Sequence, residues 1–330
     1  MGISNSNIMN IKVLSAVVLV PLAVAGCTKS SMSPDSGKET KEYTVTLACG
    51  GEIKDVSISD LTKAEESNDL YGVQVYSRPA QSDDAYKPYA YGLFDSMEGR
   101  EIKLLEGYEY KFVATMVKDG KETLKSSFDN CYYSPFFLQP IDKSIKVSSL
   151  FTYDAVNYFS SGLTTGRTYL GEKKGDAIFA RPNTDRYYGE VEGYVPSEGG
   201  KVTLSMKRTA FGLQVKTENL TEGSLNIAMK EAPSMTITSP DTEIQDIFTF
   251  EKVKEAWAAD NYKESIEVAF TWTKADGVVV PIATKTFDFY RNKLTTITVA
   301  VSDKSEDNGV GVEIEDAQMT EGDSYTVGAE

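Results

Sequence analysis

Few residue types in this chain could carry acid–base or covalent chemistry. No histidine occurs among its 330 residues, which removes Ser-His-Asp and Cys-His catalysis, histidine general bases and the usual zinc and iron centres. Cys-x-x-Cys pairs, phosphate-binding glycine loops and dinucleotide fingerprints are absent too. Carboxylates are abundant, so an acid and nucleophile pair acting on a sugar is compatible with composition, yet nothing singles out a pair. Asp95 with Glu98, and Asp83 with Asp84, read as solvated loop charges. Glu306, Asp307 and Asn308 in the acidic loop 303–308 could hold calcium, but the spaced ligands of an EF-hand are missing. The sequence therefore predicts no enzyme, no catalytic residue, no metal and no cofactor. Three cysteines remain: Cys27, Cys49 and Cys131.

Cys27 has the most telling surroundings. Lys12 precedes an apolar run from Val13 to Val24, broken only by Ser15 and Pro21, that leads into Val24-Ala25-Gly26-Cys27. About a dozen apolar residues fall short of the ~20 that a spanning helix needs, so the run reads as a secretory signal core. The small-small-Cys ending resembles the lipobox of bacterial lipoproteins, in which the cysteine thiol takes a lipid before cleavage on its amino side. This implies a signal peptide over 1–26 and a lipid on Cys27. Cys49 and Cys131 would then lie in an export compartment, where they can bridge. Each also sits beside strand-like residues, where a buried thiol is equally ordinary.

Those residues need elements to position them. Residues 27–42 are rich in Ser, Lys, Glu and Thr and read as a flexible tether. From Tyr43 onward, short segments with a period of two alternate with turn residues, the pattern of half-buried antiparallel strands. Tyr43, Val45 and Leu47 share one face ahead of Gly50-Gly51, and Val202, Leu204 and Met206 repeat the pattern. Tyr108–Val117 and 122–128 flank Asp119-Gly120, which predicts a hairpin; Ile266 to Trp272 and Val278 to Ile282 flank Asp276-Gly277 and predict another. Phe250 to Ala259 is the one helical stretch, with Val253, Ala256 and Trp257 at spacings of three and four.

The mature length suits two domains. The expected organisation is an all-β chain with an N-terminal β-sandwich over 43–182, a seam at Arg181-Pro182-Asn183-Thr184-Asp185, a C-terminal β-sandwich over 186–316 and an acidic tail over 317–330. The core faces would include Val45, Leu47, Phe112, Val202, Leu204, Phe270 and Trp272. A formal charge of −15 argues against nucleic acid and anionic membrane surfaces as partners, so attachment must come from the lipid. Tyr86, Tyr89, Tyr91, Tyr132, Tyr133, Phe136 and Phe137 either stack against a glycan or finish a sheet face.

Together these features resemble the fimbrillin family of type V pilins and their anchor and accessory lipoproteins. The likeness rests on the lipobox, on two successive all-β halves and on two short stretches. One is Gly200 to Arg208 followed by Phe211 to Val215; the other is Phe289-Tyr290-Arg291-Asn292-Lys293-Leu294 entering the alternating run Thr295 to Val301. The resemblance implies tandem transthyretin-like Greek-key sandwiches, an outer-membrane or fimbrial location, and partnership with other fimbrial subunits by strand donation, with Tyr43, Val45 and Leu47 on the exchanged strand. Stalk subunits of the family are cut by an arginine-specific protease near that strand. No arginine lies between Cys27 and Arg78, so the chain reads as an anchor unless Lys38, Lys41 or Lys54 serves instead. The alternative is a surface glycan-binding lipoprotein of a polysaccharide-uptake system.

Overall fold

The alternation seen in the sequence becomes strands with one buried face. A computed structural model describes residues 40–53, 68–123, 125–126, 131–133, 136, 141–142, 147, 150–169, 178–301 and 314–318. Cys27, the signal segment, Phe137 and the loop 303–308 lie outside them, and of Cys131, Tyr132 and Tyr133 only the backbone is described.

The first strands are β1 (Glu42–Gly51), β2 (Leu70–Pro79), β3 (Lys87–Phe94), β4 (Arg100–Leu105) and β5 (Tyr108–Val117). Short strands β6 (Lys125–Ser126), β7 (Cys131–Tyr133), β8 (Ile141–Asp142), β9 (Thr152–Tyr153), β10 (Thr168–Tyr169) and β11 (Ile178–Phe179) follow. Next come β12 (Arg186–Tyr194), β13 (Lys201–Arg208), β14 (Ala210–Glu218), β15 (Ser224–Met229), β16 (Met235–Thr238) and β17 (Glu243–Thr249). Helix α1 (Val253–Ala258), β18 (Lys263–Thr273), β19 (Val279–Tyr290), β20 (Lys293–Ala300) and β21 (Ile314–Gln318) are the last of the described elements. The protein is mostly β.

An eight-stranded sheet runs in the order β4-β1-β13-β12-β5-β2-β3-β9. Its two edges approach each other, because the Lys103 amide on β4 donates to the Tyr153 hydroxyl on β9 at 2.8 Å. The sheet thus curls around its own core, which includes Val45, Leu47, Val73, Val75, Ile102, Phe112, Val202 and Leu204. Full burial of each such side chain is worth about 1.5–3 kcal/mol. Two four-stranded sheets, β17-β14-β20-β21 and β16-β15-β18-β19, enclose a second core containing Phe211, Phe248, Phe270, Phe287, Phe289 and Ile297. A third cluster, with Leu70, Val117, Phe136, Phe159, Tyr188 and Val253, has Trp257 of α1 packed against it.

The strands differ from expectation in where they pair. Arg186–Tyr194 and Lys201–Arg208, placed by the sequence in the second half, hydrogen-bond into the first sheet: β12 joins β5, and β13 joins β1 in parallel. Asp119-Gly120 closes no hairpin. Both edges of β5 are already taken by β2 and β12, so the chain turns into a short 3-10 segment at Gly120–Thr123 instead. The second hairpin forms as read, with β18 and β19 antiparallel around Gly277 at φ +85°. The helix is shorter than its pattern, since Phe250 enters the second core and its amide bonds Thr209. Arg181 to Asp185, where the sequence put the seam, leads directly into β12 of the first sheet, with Pro182 and Thr184 buried.

Candidate functional site: the first strand and the junction that holds it

β1 lies inside the large sheet, antiparallel to β4 and parallel to β13. The period-two face turns inward as read: Val45 and Leu47 are wholly buried and Tyr43 packs at the core margin. The opposite face, Thr44 and Thr46, is more exposed. At its start the Lys41 carbonyl accepts from the Glu106 amide at 2.8 Å, and the Thr46 amide donates to the Gly200 carbonyl at 3.0 Å. Lys41 itself is exposed, its ammonium 4.5 Å from the Tyr43 ring centre.

Gly50 and Gly51 extend the strand and do not act as a hinge. They pair with Ser205 and Met206 of β13. Gly51 has φ +80°, and a Cβ there would stand 2.5 Å from the Met206 carbonyl oxygen, so glycine alone allows this approach without strain. Cys49 carries a free thiol among the core residues, and burial pushes its pKa up to about 12.

One residue further on, Glu52 reaches into the second half of the chain. Its amide donates to the Met206 carbonyl at 2.9 Å. Arg291 Nη1 donates to both carboxylate oxygens, at 3.0 and 2.9 Å, and to the Arg208 carbonyl at 2.9 Å. The Arg208 amide donates to the same carboxylate at 2.7 Å. The Arg208 guanidinium is occupied elsewhere, in a two-pronged bond to Asp185 at 2.7 Å for each prong. Arg291 occupies the turn between β19 and β20, where Asn292 takes the left-handed conformation at φ +56° that Asn tolerates.

The sequence drew attention to Arg291-Asn292 but missed Glu52, Asp185 and Arg208 as their company. A lone Glu after a glycine pair carries no signal by itself, and its partner lies 239 positions away. The aromatic residues singled out for glycan stacking are engaged internally where they are described. Tyr89 meets Tyr110 edge-on at 5.2 Å, Tyr91 stacks on Tyr158 at 4.4 Å, Tyr86 donates to Glu109, and Phe136 is buried. Among the described residues no cluster of His, Cys, Asp and Glu could hold a metal ion, and no helix is long and apolar enough to cross a membrane.

Comparison with solved structures finds distant likenesses to known proteins. Fimbrial and adhesin proteins are among the matches. The fimbrial anchor protein Mfa2 from Porphyromonas gingivalis is 9% identical, with 83% of this chain and 96% of that one covered and a TM-score of 0.36. The tip fimbrial protein Mfa3 from the same organism is 10% identical, with coverage of 84% and 98% and a TM-score of 0.34. A candidate polysaccharide-binding protein from Bacteroides thetaiotaomicron is 10% identical, with coverage of 85% and 98% and a TM-score of 0.36. No family model and no curated protein sequence matches the chain.

Proposed function

We propose that the chain is a fimbrillin-like cell-surface lipoprotein, an anchor or accessory subunit of a pilus built by strand donation, held to the outer membrane by lipid on Cys27. It works in adhesion as a structural component and not as an enzyme. The two halves are tandem transthyretin-like sandwiches, with β12 and β13 completing the first one. The observation that carries this reading is the seat of β1: an N-terminal strand paired along both edges, with Val45 and Leu47 filling core pockets. A strand of that kind can be replaced in kind, since backbone bonds supply the pairing and alternate side chains the fit. Vacating the seat would expose unpaired backbone groups and an apolar groove, a template for another strand. Glycan binding is the weaker reading, because Tyr86, Tyr89 and Tyr91 spend their rings and hydroxyls on neighbouring side chains and backbone.

The anchor role rests on the absence of arginine between Cys27 and Arg78. Incubation with an arginine-specific protease, followed by intact-mass analysis and electron microscopy, tests it. The expected result is no cut before residue 60 and no polymers; such a cut accompanied by filaments would make the chain a stalk subunit. Cys27→Ser should release the protein from membranes into the soluble fraction, and retention in the membrane would refute the lipid anchor.

A further inference from the structure

The seat of the first strand has a polar end as well as an apolar floor. Arg291 is 7% exposed, and its Nε has no acceptor. The Glu52 carboxylate is its closest counter-charge; Asp260 stands 3.7 Å from Nη2 with its own side chain 80% exposed. The Arg208 amide points at the same carboxylate from the β13 side. A guanidinium and a backbone N–H thus converge where the strand ends, and charge-assisted bonds to a largely buried cation are among the stronger polar contacts available. If β1 left, taking Glu52 with it, the Arg291 cation would lose the carboxylate that meets it at 2.9 and 3.0 Å and keep only the exposed Asp260 at 3.7 Å, and a neutral strand seated in place of β1 would cover the cation without restoring that partner, which is costly.

We infer that the junction of Arg291 with the Arg208 amide is a carboxylate-specific socket, so that any strand occupying the β1 seat must present an acidic side chain just beyond its last paired residue. The inference rests on the strand-replacement reading above and adds the chemistry of the partner. The fitting segment is an extended strand with two buried apolar positions spaced by two, glycine where Gly51 lies, and Asp or Glu next to it. The apolar pockets accept many sequences; the socket discriminates among them, because a neutral occupant leaves buried charge unpaired. A strand shifted by one residue would also put its carboxylate out of reach, so the socket fixes register.

The test uses the full chain with a site for a sequence-specific protease inserted between residues 57 and 62. After cutting, β1 is challenged with labelled synthetic peptides spanning 42–52, one carrying Glu at position 52 and one carrying Gln. The Glu peptide should bind roughly 30-fold or more tightly than the Gln peptide. In Arg291→Gln protein the two should bind within about threefold of each other. Equal binding of both peptides to the unmutated protein would overturn the socket while leaving strand replacement intact. Failure of either peptide to exchange at any concentration would overturn strand replacement itself, and the socket with it.

Discussion

The hydroxyls of Thr184 and Thr249 meet at 2.8 Å in a buried position, and the direction of that bond is fixed. Thr249 has one hydroxyl proton and donates it to the Thr184 carbonyl at 2.6 Å, so its oxygen must accept from Thr184. The Thr249 amide also donates to the Pro182 carbonyl at 3.0 Å. The segment leading into β12 is therefore pinned to the end of β17 by three bonds. Thr249→Val keeps the shape but strands the Thr184 hydroxyl without its acceptor, and should cost about 1–3 kcal/mol in urea denaturation. Thr249→Ser should recover most of it; equal loss in both variants would point to packing instead of hydrogen bonding.

The end of the first strand should tolerate no Cβ. Gly51→Ala combines positive φ with a contact 2.5 Å from the Met206 carbonyl, and is expected to destabilise by roughly 1–3 kcal/mol. Gly99, also at positive φ but with open space around it, serves as the control: Gly99→Ala should cost only about 1 kcal/mol. Similar midpoints for the two variants would contradict the close approach of β1 to β13.

Cys49 should be chemically silent in the native protein. The thiolate is the reactive species, and burial holds the thiol protonated up to about 12. Alkylation near pH 8, located by peptide mass spectrometry, should spare Cys49 until denaturant is added. Rapid native labelling would mean that the β1 seat opens far more often than its pairing suggests.

Stability should fall in alkali. Burial is the leading cause that raises Cys49 to about 12, Tyr110 to about 12, and Tyr71, Tyr89, Tyr187 and Tyr188 in the same direction. The unfolded chain releases these protons at the ordinary values of 9.0 for the thiol and 10.0 for the phenols, so above those values it holds fewer protons than the folded chain. The contribution is complete below about pH 9 and is lost as pH rises toward the folded values. Arg186 acts in the opposite sense, since burial lowers it to about 9, but it is one group against six. The urea midpoint should drop from about pH 8 to about pH 11; a flat or rising midpoint would contradict the assignment.

Legibility in the sequence followed distance along the chain. Val45 and Leu47, Val202 and Leu204, and Phe270 and Trp272 were readable as core because the period of two is written locally and each face is buried. The Asp276-Gly277 hairpin was readable for the same reason. Asp119-Gly120 carries an equal signal and failed, because the competing edges that occupy β5 come from β2 and β12, which no local window contains. The parallel pairing of Leu47 with Val202, and the meeting of Glu52 with Arg291, depend on tertiary closure. Nothing in either neighbourhood encodes them.

That parallel pairing also sets an order of events during synthesis. β1 lies next to the β4 edge of the large sheet and takes β13 on its other side, so this earliest strand has one edge open until residues 201–208 have emerged. A chain made from its N-terminus exposes that edge for the time needed to make roughly 150 residues, about 8–30 s at ordinary synthesis rates. Closing so long a loop is entropically slow. Over that interval β1 has neighbours to find but no completed sheet to join, and a holdase that shields extended apolar segments would meet it before its own partner strand does.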